Sequence, residues 1–516
     1  MVKDKQAGIC RTEGDTNMKT MLERGAGILM PVSSLPSPYG IGTFGSAAYD
    51  FVDFLKKARQ KYWQVLPVGP TSYGDSPYQS FSAFAGNPYF IDLDTLVKEG
   101  LLTQDEINAC YWGDNPTQVA YDAVFWYRFP LLKKAHARSE YREEQGYEKF
   151  CMDSWFWLND YAFYMALKFH FDNKEWLAWP EDIRFQKKEA VESYREELKD
   201  EIDFWKFLQY KFYQQWGKLR AYANEQGISI IGDIPIYVAL DSADVWTHPE
   251  LFLLDEENLT PLKVAGVPPD AFSETGQLWG NPLYRWDVQE KTDFAWWKER
   301  MKASARLYDV VRIDHFIGVT QYYAIPAGSE DGKTGEWLKG PGKKLTDAIN
   351  MVIGDTKIIA EDLGIFVPEV KELLEETGYP GMKIIEFAFS GDRFNEHLPH
   401  MYSPNSVVYG GTHDNETLVG YFKPEARQWW ELQYIADYMG VSHQHEVVDK
   451  VLKTAYASVA SVVIFQAQDV LKLDSWARMN TPGTVGNNWR WRMKPGELTQ
   501  DHINHLSWLV DTFGRF

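Results

Sequence analysis

The stretch Val310-Val311-Arg312-Ile313-Asp314 (VVRID) is a short apolar run that ends on charge. Seven similar runs recur along the chain, at Gly27–Pro31, Tyr62–Pro67, Ile228–Ile234, Lys357–Asp362, Met382–Phe387, Val407–Thr412 and Ser461–Phe465. Each is of strand length, apolar enough to be buried on both faces, and bounded by turn residues, with helical stretches between the runs. Eight buried strands alternating with helices predict an α/β protein of the parallel (β/α)8 TIM-barrel kind rather than a sandwich. Charged and polar residues collect at the C-terminal ends of several runs, which is the end where such a barrel carries its active site.

The spacing of the runs is uneven. Residues 95–225 read as a mostly helical insertion, with helices expected at Tyr121–Ala137, Asp153–Asp172 and Lys187–Gln226. In the middle helix Leu158, Ala162, Met165 and Phe169 recur at helical spacing, and Asn159, Asp160 and Lys168 fall off that stripe. Residues 241–297, rich in Pro, Gly and Trp, form a second insertion, expected to cover the substrate. Residues 328–342 (GSEDGKTGEWLKGPG) form a lid-like loop whose glycines permit backbone rearrangement. Residues 1–20 are polar and unpatterned and read as a flexible leader, with Met18 or Met21 as alternative starts. The remainder, 21–516, is expected to be one catalytic barrel with its insertions.

Composition narrows the partners. A formal charge of −20 argues against nucleic acid or an anionic membrane, since phosphate contacts need clustered Lys and Arg. The three cysteines, Cys10, Cys110 and Cys151, are widely spaced, which argues against a disulfide framework and for a reducing compartment. With no secretory h-region and no long apolar stretch, a cytoplasmic location is expected. Aromatic residues make up 15% of the chain. Flat aromatic faces suit sugar rings, although core packing is the better account of any one of them.

Gly40-Ile41-Gly42-Thr43-Phe44-Gly45 matches G-x-G-x-x-G, but it begins well past its strand, across three prolines, and no acid lies near Val65. A dinucleotide site is therefore not expected. Three carboxylates at three strand ends carry more weight. Arg312 and Asp314 are two residues apart on a strand and point the same way, so the guanidinium keeps the carboxylate ionised and oriented, as a glycosidic nucleophile must be; a structural ion pair is the alternative. Glu361, in Ile359-Ala360-Glu361-Asp362-Leu363-Gly364, stands at the mouth of an apolar strand, where desolvation raises a carboxyl pKa and makes it a proton donor. Asp362 reads better as a helix cap. In Gly410-Gly411-Thr412-His413-Asp414-Asn415-Glu416-Thr417 two glycines bring the backbone close to a ligand; Asp414 could grip sugar hydroxyls and His413 could donate to them, or the segment is a turn and cap. Retaining glycosidases need two carboxyl groups about 5–5.5 Å apart, which neighbouring fourth and fifth strands can supply. Metal ligation is poorly supported: His443 and His445 read as a solvated face, Asp92 and Asp94 lack a third ligand, and no H-E-x-x-H, P-loop or EF-hand pattern occurs.

From about Gly25 to Met493 the chain resembles the 4-α-glucanotransferases, also called amylomaltase or disproportionating enzyme, of the α-amylase clan. The resemblance is carried by Leu29–Gly45, Trp63–Asp94, Gly232–Tyr237, Val264–Trp286, Val311–His315, Ala360–Gly364, Thr412–Thr417 and Arg478–Trp491. It implies a barrel with inserted subdomains and no separate C-terminal β-domain, no cofactor and no essential metal. It further implies transfer of α-1,4-glucan segments to the 4-hydroxyl of glucose or a maltooligosaccharide by retaining double displacement, with a hydrolase on the same carboxylates as the alternative. Asp314 would be the nucleophile, Glu361 the acid/base and Asp414 the stabiliser of the distorted ring, with Arg312, His315 and His413 nearby. Asp233, Ser76 and Tyr78 match substrate contacts. Asp270, Phe272 and Trp279 fall on the loop over the glucan, Tyr73 matches a secondary glucan-binding position, and Asn488 is matched in an ambiguous register. The expected state is a monomer or homodimer.

Overall fold

The structure is a computed structural model that describes residues 22–72, 74–269, 273–365 and 367–516. The expected leader, 1–20, lies outside the described residues. Eight parallel strands form one sheet: β1 Gly25–Leu29, β2 Tyr62–Gln64, β3 Ser229–Pro235, β4 Val310–Asp314, β5 Lys357–Ala360, β6 Gly381–Ile384, β7 Ser406–Tyr409 and β8 Val462–Gln466. Their order is β6-β7-β8-β1-β2-β3-β4-β5, so sequence neighbours are spatial neighbours and the sheet curls on itself. The β5–β6 seam is completed partly by a side chain. Ala360 N–H donates to Pro380 O at 3.0 Å, and Met382 N–H donates to the Asp362 carboxylate at 2.7 Å. Asp362 therefore closes the barrel instead of capping a helix. Gly381 makes room for it, because a Cβ there would lie 2.3 Å from Asp362 Oδ2.

Each expected run coincides with a strand to within a few residues, and the alternation along them sorts the core into two layers. Leu29, Tyr62, Ile231, Val310, Ile359, Met382, Val407, Tyr409 and Ile464 form an inner cluster, while Ile28, Trp63, Ile230, Val311, Ile358, Val408 and Val463 pack outward with the helices. Tyr409 donates to Gln64 Oε1 at 2.9 Å, a bond from β7 to β2 across the interior. Because successive side chains alternate between faces, Arg312 and Asp314 share the inward face with Val310, and Glu361 shares it with Ile359.

Between β2 and β3 the chain is helical, including Tyr121–Arg138, Gln145–Asp153, Leu158–His170, Lys188–Glu197 and Lys199–Glu225. The last of these packs between Ser46–Lys57 and Ala295–Leu307 and so belongs to the barrel's outer ring as well. Lys168 differs from the stripe reading. It is buried, and its ammonium donates to Asp241 at 2.6 Å and to the carbonyls of Asn173 and Lys174 at 3.1 Å. The helix that carries it is enclosed nearly all round, so a charged residue off the stripe had to find internal partners.

The two loop regions differ from expectation. Strands Lys263–Val267, Gln277–Pro282, Gln321–Pro326 and Glu336–Lys339 build a single four-stranded antiparallel sheet. The segment 328–342 thus contains an edge strand, and residues 295–297 belong to the outer helix Ala295–Leu307. The glycines of 40–45 serve close packing. A Cβ on Gly42 would lie 1.9 Å from Val32 O, and one on Gly45 would lie 2.2 Å from Asp92 Oδ2. Asp92 itself caps the helix Leu93–Lys98.

Candidate active site

The inward-facing residues at the C-terminal ends of β3, β4, β5 and β7 converge. Arg312 Nη1 donates to both oxygens of Asp233 at 2.7 Å and lies 2.9 Å from Asp314 Oδ1, so one buried guanidinium joins β3 to β4. Its Nε reaches Met382 Sδ on β6 at 3.4 Å. Asp233 is fully buried, whereas the Asp314 side chain is 27% exposed and opens to the cleft. Paired with Arg312, Asp233 does not strand a charge in the core.

Glu361 follows β5 directly. Strands β4 and β5 are paired with Ile313 beside Ala360, which sets Asp314 and Glu361 next to each other on strands about 4.8 Å apart. The Glu361 carboxyl is only 8% exposed and accepts two backbone N–H groups, from His315 at 2.6 Å and Leu363 at 2.9 Å. Burial first, and then the charge of Asp314, push its pKa up to about 8 against the pull of Arg312 and those N–H groups. His315 supplies its N–H from a left-handed backbone, φ 55°, a conformation that costs a non-glycine residue about 1 kcal/mol or more. Its ring stands edge-on to Trp279, with centroids 4.8 Å apart, and burial lowers its pKa to about 4, so the imidazole is neutral.

The β7 end contributes His413 and Asp414. Tyr78 stacks on His413, with centroids 4.8 Å apart, and donates its only proton to Asp233 Oδ2 at 2.8 Å. His413 Nδ1, 3.2 Å from the Tyr78 hydroxyl oxygen, is then placed to donate to that hydroxyl, and His413 Nε2 faces Asp414 Oδ2 at 3.4 Å. Burial works against the charged ring, but Asp414 outweighs it and raises the His413 pKa. Burial would likewise raise Asp414; His413, Asn480 and Arg312 overcome that and hold it down at about 2. The two glycines before this pair do not admit a ligand: Gly410 is closed by Phe465, and Gly411 by Glu386 and Asn415.

A cleft of about 340 Å3 opens onto Asp314, His315, His413 and Asp414, within the usual size range for small-molecule sites. Ser76, Tyr78, Trp279 and Asn488 also line it. Ser76 Oγ accepts the Tyr78 N–H at 3.3 Å. Trp279 reaches the cleft from the antiparallel sheet. Asn488 spends its amide on Thr481 and Thr484, so it braces the 481–488 turn that borders the cleft. Tyr73, Asp270 and Phe272 lie outside the described residues. Sequence reasoning missed Asn480, which donates to Asp414 Oδ1 at 2.6 Å, and Arg478, which donates to the Asp414 carbonyl at 2.7 Å. Asn480 opens the turn signal Asn480-Thr481-Pro482-Gly483, but nothing local ties that turn to β7. Among the described residues no group of three or more His, Cys, Asp or Glu side chains is arranged to hold a metal ion.

Residues 30–499 match the sequence pattern of the 4-alpha-glucanotransferase family. The chain is 49% identical over 486 residues to a 4-alpha-glucanotransferase of Clostridium butyricum, covering 94% of this chain and 100% of that one. It is 50% identical over 481 residues to one from Streptococcus pneumoniae, covering 93% and 95%. Among solved structures it resembles the amylomaltase from Streptococcus agalactiae in complex with acarbose, with a TM-score of 0.92 and 43% identity over 96% of this chain and 100% of that one.

Proposed function

The chain belongs to the 4-alpha-glucanotransferase family, and from that premise we propose that Asp314 and Glu361 carry out a retaining double displacement on α-1,4-glucans. Asp314 Oδ attacks the anomeric carbon while Glu361 gives its proton to the departing O4, which leaves with the bonding pair. A covalent glucosyl-enzyme remains. The 4-hydroxyl of an acceptor glucose or maltooligosaccharide, deprotonated by Glu361, then displaces Asp314 and restores the α-linkage. Asp414, kept ionised by His413 and Asn480, accepts hydrogen bonds from hydroxyls of the donor ring as it flattens. Asp233 and Arg312 fix the nucleophile, and Tyr78, Ser76 and Trp279 line the sugar path. The reading extends to Asp270 and Phe272 over the glucan, to Tyr73 as a secondary contact, and to Asn488 as a brace.

The observation that carries this reading is the contrast between two neighbouring carboxyl groups. One is held against a guanidinium and open to a cleft; the other is buried with a pKa of about 8. Environments that separate two carboxyl groups in this way divide the nucleophile role from the acid role. Gln277, Trp279 and Asn281 of the four-stranded sheet line the cleft, and we read that sheet as helping to exclude water so that sugar, rather than water, meets the intermediate. The unpaired thiols of Cys110 and Cys151 support a reducing, cytoplasmic setting, among storage glucans and maltooligosaccharides.

Incubation with maltotriose tests the reaction. A ladder of longer and shorter glucans is expected by chromatography; glucose and maltose alone would mean hydrolysis. The pH profile tests the acid. Glu361 must hold its proton to donate it, and its pKa is raised to about 8. The active form therefore prevails below that pH, and kcat/KM should fall by roughly tenfold per pH unit above it. A profile flat to pH 10 would remove Glu361 from the acid role.

A further inference from the structure

Trp489 follows Asn488 at the edge of the cleft, and its backbone is left-handed, φ 64°. That region disfavours a bulky side chain, and such a conformation persists only where the surroundings over-determine it. Two hydrogen bonds do so here. Trp489 N–H donates to Met479 O at 2.7 Å, and the Tyr121 hydroxyl, from the helical insertion between β2 and β3, donates to Trp489 O at 2.9 Å. The chain just beyond is tied to the same insertion. Val119 N–H donates to Arg490 O at 2.7 Å, and Arg492 N–H donates to Thr117 O at 2.8 Å. With its backbone fixed on both sides, the direction of the indole is fixed as well.

The indole is only 9% exposed, and it meets two rings of the site. Its centroid lies 5.7 Å from that of Tyr78 and 5.8 Å from that of His413, which are themselves 4.8 Å apart. Each ring thus packs against the other two, at separations where aromatic pairs attract one another. The two rings that Trp489 touches each serve a carboxylate. Tyr78 donates to Asp233 Oδ2 at 2.8 Å, and His413 Nε2 faces Asp414 Oδ2 at 3.4 Å. We infer that Trp489 is a positioning residue for the reaction proposed above, on which the inference rests: its indole holds the Tyr78–His413 stack so that Tyr78 stays on Asp233 and His413 stays on Asp414.

The arrangement has an electrostatic signature. His413 is faced by Asp414 on its own loop, by Tyr78 after β2, by Asp233 on β3 and by Arg312 on β4. Asp233 and Arg312 are locked together by their own 2.7 Å bonds, so a loosened stack moves His413 away from Asp414 and leaves that pair in place. His413 leads the groups that offset burial and hold the Asp414 carboxyl at about 2. Loosening it lets the Asp414 pKa rise, so Asp414 loses its charge at a higher pH than before. Glu361 answers to burial, Asp314, Arg312 and two backbone N–H groups, and His413 is not among its causes. Its limb of the profile, near pH 8, should stay where it is.

The test uses the full chain. Trp489→Gly keeps the left-handed backbone without strain and removes the ring; Trp489→Phe keeps a ring. With maltotriose, Trp489→Gly is expected to lower kcat by about 10- to 100-fold, the scale of a catalytic group displaced by about 1 Å, with little change in KM. The acid limb of kcat/KM should move up by about one pH unit, with the limb near pH 8 unmoved. Trp489→Phe should recover most of the kcat and the wild-type acid limb. Tyr121→Phe, which removes the bond to the Trp489 carbonyl and leaves the cleft intact, should shift kcat and the acid limb in the same direction by less. Wild-type kcat and acid limb in Trp489→Gly would overturn the inference. So would a loss of kcat with both limbs in place, the result that packing alone would give. If circular dichroism showed Trp489→Gly unfolded, Tyr121→Phe would decide, and an unmoved acid limb there would overturn the inference. Failure of the wild-type chain to rearrange maltotriose would instead strike the proposed reaction.

Discussion

Asp314→Asn is expected to lower kcat for maltotriose disproportionation by roughly 10^4-fold or more, the scale seen when a covalent nucleophile is removed. Affinity for the glucan should change little. The amide keeps the volume and the hydrogen-bonding reach of the carboxylate but cannot bond to the anomeric carbon. The fold should tolerate it, because Arg312 keeps its two 2.7 Å bonds to Asp233 when the Asp314 charge is gone. The substitution also has an electrostatic consequence. The Asp314 charge ranks second to burial among the causes that raise the Glu361 pKa, so removing it should move that pKa down. Calorimetry with maltoheptaose would read the retained binding, and chromatography the lost transfer. Turnover within tenfold of wild type would take the nucleophile role away from Asp314.

The barrel was legible because buried parallel strands advertise themselves twice, in short apolar runs and in the polar residues at which they stop. Once the apolar run VVRID is read as a strand, the two-residue alternation of strands dictates that Arg312 and Asp314 share a face, so half of this constellation could be read locally. Its other half could not. Asp233 is an acid inside an apolar run, and long-range bonds from Arg312 and Tyr78 explain it. Tyr78 reaches that acid from the loop after β2, and Asn480 reaches Asp414 from the segment after β8. Periodicity states which face a residue occupies and nothing about which distant loop folds over it. The sheet beside the mouth was missed for a related reason. Its strands (KVAGV, QLWGNP, QYYAIP and EWLK) are short and interrupted by glycine, proline or charge, and each gains strand character only from its neighbours. Asp362 was misread because a carboxylate after a strand usually serves the helix that follows, and here it repairs a seam between two strands instead.

Glu361→Gln divides the reaction into its two demands and gives the second large effect. On maltooligosaccharides the departing O4 is a poor leaving group and needs the proton, so kcat/KM should fall by about 10^2- to 10^4-fold, the usual worth of a positioned general acid. On an α-maltosyl fluoride the leaving group needs little protonation, and formation of the glucosyl-enzyme should be slowed far less. Glutamine can still accept one of the His315 and Leu363 N–H groups through its carbonyl oxygen, but it presents an NH2 where the carboxyl accepted the other, so modest loss of stability is expected alongside. The variant should also lose the fall in kcat/KM above about pH 8, because the group that titrates there is gone. Equal slowing of the fluoride and the natural glucan, with that limb of the pH profile intact, would assign the proton to another residue and leave the buried carboxyl beside Asp314 without a catalytic task.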